Sequence, residues 1–155
     1  MGDVRMTGWK GALAALAMAV PAGASAAPLC DELGFAGLLA ACNRGEPIEI
    51  TLASGQPLYA GEQPVELQSG AYYELVITAD GSAELALSGA SFFRSIWMNE
   101  IVINQIEVRP MAVDSIEFDA AGTVTLSFVA IRPGTHSLSI PGSTGDSQRI
   151  DFAIR

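Results

Sequence analysis

Lysine is missing from this chain beyond Lys10, and histidine occurs once, as His136. Both shortages exclude function classes. Surfaces that hold nucleic acid need clustered cations to displace counterions from phosphates, whereas these 155 residues carry a formal net charge of −9. Nucleic acid is not an expected partner. A lone imidazole is a poor basis for a metal centre or a Ser-His-Asp triad, and no Gly-x-Ser-x-Gly elbow is present. No cysteine or methionine follows Met111. Internal repeats, low-complexity tracts and interdomain linkers are also lacking, as is any apolar run of the roughly 20 residues that a membrane span needs.

What is there begins with a three-part leader. Met1 to Lys10 carries Arg5 and Lys10, Gly11 to Val20 is apolar, and Ala24-Ser25-Ala26 offers the small residues a signal peptidase accepts. Pro21 interrupts the apolar stretch, which argues against an anchor. Residues 1–27 are therefore read as a signal peptide cleaved after Ala26 or Ala27, which makes the protein exported and periplasmic, with no transmembrane span in its mature form. Cleavage removes one of the 17 acidic and two of the 8 basic side chains, leaving a net charge near −10. Such charge serves solubility; docking to a basic partner or weak cation binding is the alternative.

Cys30 and Cys42 lie together at the front of the mature chain, in a segment spanning residues 28–45. In an oxidising compartment they are expected to bridge, closing a loop of about a dozen residues that restricts the unfolded chain by about 3 kcal/mol. The bridge would fasten this segment to the domain behind it. Leu39-Ala40-Ala41-Cys42 also has the shape of a lipoprotein box, but Asp31 and Glu32 precede it. Lipidation at Cys42 and a Cys-Cys metal site are the alternatives. Leu29, Leu33, Phe35, Leu38 and Leu39 suggest a short helix here, weakened by Gly34 and Gly37.

Residues 46–155 read as one all-β domain. Pro47 to Leu52, Val65 to Leu67, Tyr72 to Thr78 and Glu84 to Leu87 alternate apolar with polar side chains, as strands with one buried face do. Tyr73, Leu75 and Ile77 share a face, and Asp80-Gly81 is a hairpin signal leading to Glu84–Leu87 as partner. Ser91 to Asn99 is too densely apolar to alternate, so it is either a buried strand or a helical turn capping one end. Glu100 to Val108 resumes the alternation until Arg109-Pro110 stops it. Ile116-Glu117-Phe118, Val124 to Phe128 and Leu138-Ser139-Ile140 follow, separated by Ala120-Ala121-Gly122 and Pro133-Gly134 turns. Ile150, Phe152 and Ile154 mark a last strand that closes the sheet edge. With half its residues hydrophobic, the chain can bury one real core.

From about Pro47 to Arg155 the order of these pieces resembles the cupredoxin family. Tyr72-Tyr73-Glu74-Leu75-Val76-Ile77-Thr78-Ala79-Asp80-Gly81 is similar to the strand and turn ahead of that family's first copper histidine. Ile116-Glu117-Phe118-Asp119, followed by Gly122 and Phe128, resembles its next hairpin. Pro133-Gly134-Thr135-His136-Ser137-Leu138-Ser139-Ile140-Pro141-Gly142 resembles the Pro-Gly-Thr-Tyr turn and strand leading to its copper loop. The resemblance implies an antiparallel Greek-key β-sandwich or barrel of about 8 strands. It also implies a type 1 copper held by two His, one Cys and a long axial Met. Matched position by position, the first His falls at Glu84, the Cys at Ile140, and Ser143 stands near the second His. The thiolate is missing, so the expected cofactor is none, and blue-copper electron transfer does not come with the fold.

Three smaller constellations remain. His136 with Met98 and Met111 would make a Cu(I)-handling site, the alternative function; the plainer reading is a half-buried ring in a Tyr position and two apolar fillers. Glu84, Glu100 and Asp114 could form a carboxylate pair for acid-base work, although solvated carboxylates are ordinary at this charge density. No activated nucleophile is visible, and the protein is expected not to be an enzyme. Phe93, Arg94, Trp97, Asn99 and Glu100 mix aromatics with an arginine, as interaction hot spots do. They also suit a core cap in which Arg94 pairs with Glu100, and the exposure of Trp97 separates the two readings. The expected function is a binding or structural module that meets a protein partner in the cell envelope.

Overall fold

The computed structural model describes residues 28–155; the leader proposed at 1–27 lies outside them. Ten strands run in two five-stranded sheets. They are β1 (Ile48–Leu52), β2 (Val65–Leu67), β3 (Tyr72–Ala79), β4 (Leu85–Ser88), β5 (Ile96–Ile103), β6 (Ile106–Val108), β7 (Ser115–Phe118), β8 (Gly122–Ala130), β9 (Gly134–Ser139) and β10 (Arg149–Ile154). One sheet has the order β1-β3-β8-β5-β6 and the other β2-β10-β9-β4-β7. Among the described residues no barrel closes, and no helix is long and apolar enough to cross a membrane.

The core follows from the period-two pattern. Ile48, Ile50 and Leu52 of β1, Leu75 and Ile77 of β3, and Val124, Leu126 and Phe128 of β8 are buried from one sheet. Leu87, Leu138, Ile150, Phe152 and Ile154 meet them from the other. Tyr73 joins them as expected; its hydroxyl accepts the Gln68 N–H at 2.8 Å, and burial pushes its phenol above the usual tyrosine range.

Most strand pairs are antiparallel as expected, but two are not. β1 runs parallel to β3, and β10 parallel to β2. The reason is connectivity: β1 and β3 are joined through β2 in the opposite sheet, and such a crossover returns the chain in its original direction. Asp80-Gly81 does not make a hairpin, because β3 and β4 belong to different sheets. The dipeptide instead shapes a corner. Asp80 Oδ1 accepts the Ser82 N–H at 2.8 Å, and Ser82 Oγ accepts the Ser54 N–H at 2.8 Å; hydrogen bonds from the Ser82 hydroxyl and then its N–H hold the Asp80 carboxyl below the usual carboxylate range. β10 is not at an edge either; it lies between β2 and β9, since the short β2 adds alongside it.

The nine strand segments read from the sequence become ten because Glu100–Val108 is not one strand. Asn104 and Gln105 adopt positive φ (48° and 69°) and reverse the chain between β5 and β6. Neither is glycine, so the turn gave little signal, although Asn tolerates this region. Ser91–Asn99 opens with the helical turn offered for it, α1 (Ala90–Phe93), and continues into the start of β5, which is not the buried strand of the other reading, since Ile96, Met98 and Asn99 are only partly buried and Trp97 is exposed.

From Gly34 on the chain makes two 3-10 turns, Gly34–Leu39 and Ala41–Asn43, the first opened by Gly34 and kinked by Gly37, both at positive φ. Cys30 and Cys42 are bridged, with Cα atoms 5.8 Å apart. The sulfur that lipidation would use is therefore occupied. The bridge closes this segment on itself and does not tie it to the sandwich, since both cysteines belong to the segment. Asn43 makes the tie: it is fully buried, and its amide donates to Leu38 O at 2.8 Å and Gly70 O at 2.9 Å while its oxygen accepts the Leu29 N–H at 2.8 Å. Arg44 lies over the Tyr72 ring, 4.6 Å from its centroid, and pairs with Glu74 at 3.5 Å. Gly45 then crosses Tyr73 so closely that a Cβ would sit 2.2 Å from the ring.

Candidate functional site

Placement of the aromatic-arginine stretch begins with Ser95. This buried serine donates its hydroxyl to Ser91 O at 2.8 Å, closing α1, and its carbonyl accepts N–H groups from Ile131 and Arg132. The corner between α1 and β5 is thereby fixed. Phe92 points wholly inward; Phe93 is buried at the rim, and Arg94 is exposed. Trp97 lies opposite Val129, whose neighbours Leu126 and Phe128 mark the inner face, so Trp97 stands on the outer face at 50% exposure.

The chain after β6 completes a cleft. Pro110 has no N–H for a ladder and restricts Arg109 before it, so pairing with β5 ends at Val108, opposite Ile101. Beyond that point Pro110, Met111, Ala112 and Val113 form the second wall of a space of about 440 Å³, opposite Phe93, Arg94, Ile96, Trp97 and Met98. Met111 is fully exposed. The phenylalanines cap the core, and Trp97 with Met111 rims an open, largely apolar cleft.

Asn99 and Glu100 do not line this cleft. The register slips between Met98 and Glu100, a bulge that leaves Asn99 as the extra residue, and its amide donates to Ser127 Oγ at 3.1 Å. Glu100 pairs with Arg109 at 3.2 Å, and Arg109 also reaches Glu107 at 3.6 Å. The expected Arg94–Glu100 pair is not formed, because Arg94 ends α1 before β5 begins, whereas Glu100 lies beyond the bulge in β5 and pairs with Arg109. Arg94 has no ion pair among the described residues.

Met98 and Met111 share the cleft, but His136 is not among its lining residues. His136 is half-buried on β9, with Nδ1 3.3 Å from Ser95 Oγ and Nε2 3.1 Å from Arg132 O. Both ring nitrogens already have protein partners. At the positions matched to copper ligands, Ile140 offers no donor and the Ser143 hydroxyl donates to Ile140 O at 2.7 Å. Glu84 stands with Glu117 and Asp119, exposed, their carboxylate oxygens within 4.8 Å of one another. Oxygen donors suit hard cations, and a type 1 copper needs thiolate and imidazole. The residues present do not fit that copper.

Sequence reading missed Asn43 and the 110–113 wall. Asn43 carried no pattern, only its place beside Cys42; Pro110 was a usable signal, read as a stop and not as the start of a gap.

No protein-family model and no curated protein sequence matches this chain. Among solved structures it is similar to a multicopper oxidase, with a TM-score of 0.50 and 8% identity over 71% of this chain and 44% of that one. It is also similar to a Campylobacter jejuni multicopper oxidase (TM-score 0.48, 6% identity, 71% and 30% covered). A third is the blue copper oxidase of Nitrosomonas europaea (0.48, 10%, 68% and 43%). The chain spans less than half the length of each of these structures. At such identities the likeness is one of fold alone. The two stacked five-stranded sheets, mixed in direction, form a cupredoxin-like β-sandwich.

Proposed function

We propose that this chain is an exported, periplasmic protein that does not carry type 1 copper and works as a non-catalytic binding or structural module. The observation that carries this reading is the donor set: Glu84, Ile140 and Ser143 stand at the matched ligand positions, and both thiols are consumed in the Cys30–Cys42 bridge. Titration of the purified chain with Cu(II) is expected to give no intense visible band. A blue colour at stoichiometric copper would overturn the proposal.

The binding surface in this reading is the cleft between Trp97 and Met111. Its occupant is a protein segment that presents an apolar side chain beside a carboxylate, because the walls are largely apolar and Arg94 stands exposed without an ion-pair partner among the described residues. A displayed random-peptide library panned on the chain is expected to enrich sequences of that kind. Trp97→Ala should then weaken the selected peptides by roughly thirtyfold or more, the loss of a ~2 kcal/mol hot-spot side chain. Enrichment that ignores Trp97 and Arg94, or none at all, counts against the cleft.

A further inference from the structure

The free edge of β6 carries a pattern that suits one particular neighbour. Two-residue turns with both central residues at positive φ close on a pair that exchanges both backbone hydrogen bonds. Ile103 opposite Ile106 is that pair. Ile106 and Val108 therefore direct their backbone groups toward β5, whereas those of Glu107 point away from the sheet. β6 is the last strand of its sheet, so no other strand among the described residues meets them.

Side chains alternate in step. Val108 lies opposite the buried Ile101 and belongs to the inner face, yet it is 43% exposed, and Ile106 is 64% exposed. Glu107 and Arg109 belong to the outer face, where Arg109 reaches both Glu107 and Glu100. The strand thus reads apolar inward, and negative then positive outward, two residues apart.

We propose that β6 pairs antiparallel with β6 of a second copy of this chain, about a two-fold axis through Val108, joining two five-stranded sheets into one. That axis sets Glu107 opposite Arg109 of the second copy, twice over, and Val108 opposite its own equivalent. Continuing the alternation to Arg109, these opposed charged residues are the ones whose backbone groups point outward, so the ladder and the ion pairs coincide. Pro110 falls opposite Ile106 at a position that needs no N–H. The neighbouring register, with its axis through Glu107, would oppose like charges and is disfavoured. The resulting contact is isologous, as in most homodimers. The proposal stands on the edge strand and not on the cleft, so either reading can fail without the other.

Sedimentation velocity over a concentration series tests it. The wild-type chain is expected to show a monomer–dimer equilibrium. Glu107→Arg and Arg109→Glu, each checked for native circular dichroism, are expected to sediment as monomers, because each opposes like charges across the pair. An equimolar mixture of the two variants should recover the dimer, since their altered strands again present opposite charges to one another. An effect on folding within one chain cannot produce that recovery. A wild type that stays monomeric at the highest soluble concentration overturns the proposal. So does a dimer that both single variants retain, or one that mixing fails to restore.

Discussion

Phe92→Ala is expected to cost about 3–5 kcal/mol of unfolding free energy, the range for deleting a buried aromatic ring and leaving a cavity. Phe92 is fully buried in α1, with ring centroids 4.3 Å from Phe152 and 5.4 Å from Phe128. Those partners come from opposite sheets, β10 and β8, so one side chain links both layers at the end of the sandwich. The ring also meets Phe93 edge-on at 5.8 Å. The loss is a large share of the ~5–15 kcal/mol by which domains are stable. Urea unfolding followed by circular dichroism measures it. Phe93→Ala should cost less, because that ring lies at the rim and loses fewer contacts. A Phe92→Ala loss below about 1 kcal/mol would mean that α1 is not part of the core.

The second large effect is expected at Asn43. Asn43→Leu removes three hydrogen bonds from a fully buried position and leaves the carbonyls of Leu38 and Gly70 and the N–H of Leu29 without that partner. At about 1–3 kcal/mol for each unsatisfied buried group, with incomplete additivity, the loss should be about 2–4 kcal/mol. Asn43→Asp keeps the oxygen for Leu29 but turns a carboxylate toward two carbonyls, so it should be no better tolerated. Hydrogen exchange adds a local readout: the Leu29 and Gly45 amides, the latter bonded to Tyr72 O at 2.9 Å, should lose protection. The disulfide stays closed throughout. If both variants unfold at the wild-type denaturant concentration, the segment is held by something other than this amide.

These two positions show where sequence reading succeeds and where it stops. Phe92 stood in a stretch whose apolar density already suggested a cap, and alternation placed Tyr73, Leu75, Ile77, Ile150, Phe152 and Ile154 on buried faces, as found. Asn43 was silent. A side chain that satisfies Gly70 from 27 residues away leaves no local period, cap or turn signature. Asp80-Gly81 was misread for a related reason: its local chemistry specifies a reversal, but not whether the returning strand joins the same sheet or the facing one. The candidate surface was half legible. Phe93, Arg94 and Trp97 come together with Met98 and Met111 at one cleft, whereas Asn99 and Glu100 are diverted by the bulge to Ser127 and Arg109.

By itself the sequence determined the all-β class of the fold and the absence of a thiolate for copper after Met111, because each depends on residue type and on period along the chain; it favoured the Cys30–Cys42 bridge, which the structure then closed. Only the tertiary structure decided which strands run parallel, which strand is left at the edge, and that Pro110 opens a gap beside Trp97. Those outcomes depend on which sheet each successive strand joins, a choice made by contacts between residues far apart in the chain, and local pattern holds no record of it.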